Sequence, residues 1–314
     1  MLFFSTTVDG LQMGLCFAVL ALGVYISYSI LDFADLSVDG TFPLGGVVCT
    51  ILMLRLGVPL PAVFLSFFAG FAAGAVTGFL HVKCRISKLL CGIIVMTALL
   101  SVTLALTTLL TDNGMTTTIF SYRSQKLTGI FNGALATRFG TASRDYVILG
   151  IELVFVIAVK LLLDLFFKTK LGYMLRATGD NEKLVVTLGK DVGSYQILGL
   201  ALANGLVAVS GALYAHLYMQ YDNSCGSGKV VLALASVIIG LAIFSRVRFV
   251  RDTTAVICGA VLYSLCLNYL VLVDSNGIYL KLLNAVLFAL ILIFHDRITA
   301  LTAKRVNARK GAAA

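Results

Sequence analysis

Charge is what this sequence has least of. Asp, Glu, Lys and Arg make up 12% of its 314 residues, about half the roughly 25% that a soluble domain carries. No segment is polar enough and long enough to form a separate aqueous domain, the longest candidate running from Asp112 to Asp145. Histidine occurs only at positions 81, 216 and 295, far apart in the chain, and neither HExxH nor GxSxG is present. Enzymatic chemistry therefore finds no catalytic residues and no metal ligands in the sequence. There is no GxxxxGK[ST] either, so the chain does not hydrolyse ATP itself. The seven cysteines (16, 49, 84, 91, 225, 258 and 266) show no metal-ligand spacing, and most fall inside apolar runs. They read as small buried hydrophobes. The start of the chain lacks a positive n-region and a small-residue cleavage site, so the first apolar run is read as a retained span. No run carries a series of acids and histidines suited to a proton relay, which counts against an ion-driven carrier.

What is abundant is apolar sequence. Hydrophobic residues reach 59% and the mean hydropathy is +0.98. Apolar runs near the 20 residues a bilayer requires occur at about 10–30, 60–80, 89–111, 146–167, 195–219, 230–244, 253–273 and 278–295, with a shorter one at about 43–54. The expectation is an all-α polytopic membrane protein with about nine (eight to ten) transmembrane helices. The net charge of +9 is scattered over short loops, which argues for a lipid bilayer and against nucleic acid. Sixteen of the 24 lysines and arginines lie in 81–88, 168–190, 245–252 and the tail from Arg297. An even number of spans separates each of these segments from the next, so all four can face the cytosol. That orientation puts the C-terminus in the cytosol and the N-terminus outside. The opposite face then holds 112–144, 220–228 and 274–277.

Two polar stretches interrupt the apolar pattern: Asp32 to Pro43 (DFADLSVDGTFP) and Tyr221 to Gly228 (YDNSCGSG). Each precedes a short apolar run, one in either half of the chain. Paired interruptions of this kind point to broken helices around a transport path, because non-helical backbone is tolerated at membrane depth only under protein or water. Ser37, Asp39 and Thr41 from the first, and Asn223 and Ser227 from the second, are candidates to line or gate that path. Asn204 and His216, polar within the run 195–219, join them. Asp39 has an equal alternative as a helix cap. Of the ionisable residues inside spans, Lys160 and Asp164 stand at i, i+4 near one end and read as a structural pair, whereas Glu152 is placed close to the outer interface.

The most turn-rich segment between apolar runs is Leu171 to Gly189, LGYMLRATGDNEKLVVTLG. Gly179-Asp180-Asn181 is a turn and helix-start signal, with Asp180 or Asn181 able to cap. Glu182 lies in the first turn and Gly189 acts as the stop. A helix of about two turns is predicted, with Leu184, Val185 and Leu188 on one side. So short a helix needs something to lie against, and a partner protein in the cytosol is the candidate.

That segment, continued through GKDVGSYQILGLALANGLVAVSGALYA, resembles the cytoplasmic loop and following span of ABC importer permeases of the branched-chain amino-acid/ribose type. Gly172, Arg176, Ala177, Gly179, Asn181 and Gly189 match the loop pattern, as do Ser210, Gly211 and Leu213 in the span. Val185 and Val186 stand where the family usually has Ala-Ala. DFADLSVDGTFPLGG is similar to the family's entry into its second span, and VVLALASVIIGLAIF to a late segment; the likeness is weakest over 112–144. The resemblance implies a type II-like ABC importer transmembrane domain over 1–314, with a cytoplasmic coupling loop at 171–190 and an extracytoplasmic loop at 112–144. It further implies a bacterial cell membrane, two permease copies (a homodimer), cytoplasmic ABC ATPase subunits carrying ATP and Mg, and an extracytoplasmic, lipoprotein-type binding protein. The branch it looks most like is linked to uptake of amino acids, including aromatic ones and cysteine. Arg176, Gly179, Asp180, Asn181, Glu182, Leu184, Val185, Leu188 and Gly189 would couple to the ATPase, and no cofactor would be bound by this chain. The rival is an ion-coupled secondary transporter, which needs ion ligands in its spans and has no use for a cytosolic docking helix.

Overall fold

The computed structural model describes residues 2–57, 59–108, 140–218, 221–244, 250–273, 282 and 284–293. They form helices joined by short connections: α1 (Leu2–Val24), continued by a π-helical turn at Tyr25–Ile30, α2 (Val38–Leu56), α3 (Pro59–Val82), α4 (Lys88–Thr108), α5 (Gly140–Phe167), α6 (Lys170–Asp180), α7 (Glu182–Thr187), α8 (Val192–Tyr218), a 3-10 turn at Asn223–Gly226, α9 (Lys229–Phe244) and α10 (Asp252–Val273). A further short apolar helix, α11, covers Asn284–Ile293. Seven of the described helical stretches are long and apolar enough to cross a membrane, with α2 and α11 as the shorter apolar helices. The chain is thus an all-α polytopic membrane protein; the shorter run at 43–54 lies within α2, and run 278–295, expected near full length, is the shorter α11 among the described residues.

α1 and α8 are the buried centre, lying antiparallel with Cys16 Sγ donating to Ser210 O at 3.4 Å and Ser210 Oγ to Cys16 O at 2.9 Å. Glycines set the distance between helices, since lipid gives no hydrophobic drive for helix association and close backbone packing must serve instead. A methyl group at Gly70 or Gly74 of α3 would collide with backbone carbonyls of Asn204 or Leu200 on α8, and one at Gly45 of α2 with Ala208. α10 pairs with α9 through Gly240 and Gly259 and with α1 through Gly14. α5 leans on this bundle from outside, with Leu153, Val154, Leu161, Leu162 and Leu165 exposed, as befits a lipid-facing helix.

The described parts of three basic loops gather at one end. Lys88 Nζ donates to Asp32 O at 2.9 Å, Gly179 packs on Ile30 and Gly193 on Val82, and Arg251 pairs with Asp164 at 2.9 Å. Arg246, Arg248 and the basic tail from Arg297 lie outside the described residues, as do Gln220 and most of the loop at 112–144. The loop's last residues, 140–144, are already helical, so α5 starts earlier than the apolar run.

Candidate functional site

Each interruption leads into a helix that starts beside the middle of α8: the first is helical from Val38, where α2 begins, and the second ends at Lys229, where α9 begins. Asn204 lies one residue from the midpoint of α8, and the first turn of α2 meets it there. Its Oδ1 accepts from Ser37 Oγ at 3.2 Å and lies 2.8 Å from Thr41 Oγ1; its Nδ2 donates to Asp35 Oδ2 at 2.7 Å and Leu200 O at 3.2 Å. Asp35 Oδ1 in turn accepts from Ser37 N at 2.8 Å. The amide has used its full hydrogen-bonding capacity, and Asp35, Ser37, Thr41 and Asn204 are all buried. A polar network of this kind holds its members rigidly because leaving any one unpaired in low dielectric is costly.

From there α2 runs parallel to the half of α8 away from the basic end, Gly46 against the ring of Tyr221 and Gly211 against Phe42, to Cys49, whose Sγ is 3.2 Å from His216 Nε2. His216 is therefore buried between α2 and α8. The second interruption folds inward to the same level: Gly226 abuts the Asp39 backbone and Pro43. Asp39 Oδ2 accepts from Gly228 N at 3.1 Å and Oδ1 from Val230 N at 2.8 Å. Of the two readings of Asp39, the cap is the one observed, but it caps α9 rather than its own helix. Two half-helices thus begin side by side and point in opposite directions. Asn223 Oδ1 accepts from Tyr221 OH at 3.1 Å, and Ser227 is exposed beside it.

Sequence reasoning missed Asp35, though it sits within the polar stretch, and missed Lys229. Lys229 opens α9, where the helix dipole disfavours a cation. Its ammonium lies 4.2 Å from the ring centroid of Phe17 and 5.2 Å from those of Phe42 and Tyr214, and such cation–π contacts offset part of that cost. A lysine directly after the glycine-rich break was the available signal.

At the basic end, the segment read as turn-rich is helical from Lys170. Thr169 caps α6, accepting from Gly172 N at 3.3 Å. Gly172 and Gly179 are packing glycines: side chains there would strike Phe166 and the carbonyl of Ile30. Asp180 ends α6 and caps nothing; Asn181 alone caps α7, its Oδ1 accepting from Leu184 N at 3.2 Å. Gly189 follows with φ +68°, the left-handed stop that glycine adopts freely. Leu184, Val185 and Leu188 do not share a face. Val185 is fully buried in the chain's own core, while Leu184, Val186 and Leu188 are 51%, 63% and 59% exposed. Glu182 Oε1 accepts from Gln196 Nε2 at 3.0 Å, tying α7 to α8, and the Arg176 guanidinium sits 4.8 Å over the Phe167 ring. Asp191 caps α8, and hydrogen bonds from Ser194 Oγ and Gly193 N hold its carboxyl below the usual carboxylate range.

Lys160 and Asp164 do pair, at 3.2 Å, and Thr253 Oγ1 adds a bond to Asp164 Oδ1 at 2.8 Å. Glu152 is 2% exposed, and neither carboxylate oxygen has a partner among the described residues.

Residues 6–295 match the family described as branched-chain amino acid transport system, permease component. A tyrosine transport system permease protein of Clostridioides difficile (strain R20291) is 36% identical over 282 residues, covering 90% of this chain and 88% of that protein. An uncharacterized protein of Rickettsia prowazekii (strain Madrid E) is 30% identical over 288 residues, 90% of this chain and 95% of its own. A nucleoside ABC transporter permease protein of Lactococcus lactis subsp. cremoris (strain MG1363) is 36% identical over a 75-residue stretch, 24% of each chain. No solved structure matches.

Proposed function

The chain belongs to the family of permease components of branched-chain amino acid transport systems, and on that premise we propose that it is the membrane subunit of an ATP-driven importer for an aromatic amino acid such as tyrosine. Two copies enclose the path. A cytoplasmic ABC ATPase beneath each copy binds ATP and Mg, and an extracytoplasmic, lipoprotein-type binding protein delivers the solute. The basic end faces the cytosol of a bacterial cell, C-terminus included. The solute class rests on the C. difficile relative, which carries a tyrosine transport name across most of both chains.

One observation carries the energy-coupling part of this reading. α7 is a six-residue helix held by one buried side chain and one side-chain bond to α8, and it leaves Leu184, Val186 and Leu188 in water. Isolated helices below about 12 residues are marginal in water, so a docked partner accounts for both its persistence and its apolar exposure. We place the ATPase there. Nucleotide-driven closure then moves α6 and α7 as a unit, and Gly179 passes that movement to the π-helical end of α1, which it touches. The path runs beside the junction of α2 and α9. Asn223 and Ser227 meet the solute from outside, Ser37, Thr41 and Asn204 form the fixed backing, and Asp39 holds the two half-helices together.

The test is Leu184→Asp in the reconstituted complex. Tyrosine uptake is expected to fall at least roughly tenfold, as loss of a buried interfacial leucine implies, with membrane insertion unchanged. Uptake at the wild-type rate would remove α7 from the coupling role. Should the purified chain alone catalyse uptake driven by an ion gradient, the secondary-transporter reading would replace this one.

A further inference from the structure

At the basic end, a cavity of about 290 Å³ opens between α5, α6 and α10, lined by Asp164, Phe167, Lys168, Tyr173, Arg176, Arg251, Asp252 and Thr253. We propose that it is a binding site for a phosphate group at the cytosolic surface of the membrane.

The charges decide the sign of the ligand. Three cations meet two carboxylates in the lining, and both carboxylates are already engaged. Asp164 takes Arg251 Nη1 at 2.9 Å, Lys160 Nζ at 3.2 Å and Thr253 Oγ1 at 2.8 Å. Asp252 accepts from Tyr25 OH at 3.3 Å and stands in the first turn of α10, where the helix dipole favours it. The cations are less committed. Lys168 has no carboxylate partner among the described residues, Arg176 rests on the Phe167 ring, and Arg251 is 58% exposed with one guanidinium nitrogen on Asp164. Arg offers five donors in a planar fork suited to phosphate oxygens, and the exposed Tyr173 adds a hydroxyl.

The surroundings present that anion from the membrane. Leu161, Leu162 and Leu165 are exposed on α5, within two turns of Asp164 and Lys168, so acyl chains lying on this face would bring a headgroup to the cavity mouth. Basic pockets between helices on the cytosolic side recognise anionic headgroups by this chemistry. Arg176 links the site to α6, but the binding argument stands whether or not α7 docks an ATPase.

The experiment is native mass spectrometry of the purified chain in detergent, titrated separately with phosphatidylglycerol, phosphatidylcholine of the same acyl chains, and inorganic phosphate. One saturable phosphatidylglycerol adduct is expected, weakened roughly tenfold in Lys168→Gln and in Arg251→Gln as one charge-assisted contact is removed. Lys83→Gln, basic but outside the cavity, is expected to leave it intact. Lys168 is exposed, so its variant keeps the test open if Arg251→Gln fails to fold. An adduct with phosphatidylglycerol that inorganic phosphate does not displace identifies a lipid headgroup as the source; displacement by phosphate identifies a free anion. Equal retention of both lipids, or phosphatidylglycerol binding unaltered in Lys168→Gln, overturns the site.

Discussion

Asn204 and Asp39 carry the junction between the two half-helices, and each makes bonds that no replacement reproduces. Asn204→Leu removes the acceptor for Ser37 and Thr41 and the donor to Asp35 while keeping a similar volume. Unpaired buried polar groups cost about 1–3 kcal/mol each, so the expected outcome is a lower unfolding temperature in detergent. A thermal-shift measurement equal to wild type would mean the network relaxes elsewhere. Asp39 gives a graded test. Asp39→Asn retains one acceptor for the Gly228 and Val230 amides, whereas Asp39→Ala leaves both without a side-chain partner, and loss of a cap costs about 1 kcal/mol. The order of unfolding temperatures should be wild type, Asn, then Ala. The polarity of Asp39 was readable at its interruption. Its partner was not, because residues 39 and 230 meet only through the fold.

α6 and α7 show how one element can be legible in outline and wrong in detail. Asn181 as the break, Glu182 in the first turn and Gly189 as the stop follow from local capping chemistry, which needs only neighbours in sequence. The assignment of faces failed at Val185, because a helix of six residues has too few turns for periodicity to show which side chain points inward. Gly179 was read as a turn residue; it is helical, and small because Ile30 lies against it. Val185→Ser should release α7 from the bundle and make 181–189 a preferred cleavage site in limited proteolysis, whereas Leu184→Asp should not alter the cleavage pattern. Gly179→Val should lower the unfolding temperature more than Ala does at the exposed Gly189, despite the strain of φ +68° there, since it forces α6 off α1.

For the whole molecule, the described basic residues of three loops lie at one end, which the proposed orientation puts in the cytosol, and labelling can check it. With the native cysteines replaced, Leu188→Cys should react with a membrane-impermeant thiol reagent only after cells are opened, and Tyr146→Cys in intact cells. The reverse pattern would invert the topology. Asn223→Cys should label faster than Ser37→Cys, which is buried behind Asn204.

The all-α polytopic class, the approximate number of apolar helices and the two polar interruptions were determined by the sequence alone, because the lack of charge, the length of apolar runs and the polarity of the interruptions are each set by the bilayer one segment at a time; the length of each helix was not, and run 278–295 is a short helix among the described residues. The capping of α9 by a residue of α2, the cage around Lys229, the burial of His216 and Glu152, and the basic cavity were decided by the tertiary structure. Each depends on which helices lie side by side, and that is settled by close backbone packing at glycines such as Gly45, Gly70 and Gly74, whose partners on α8 no local pattern names.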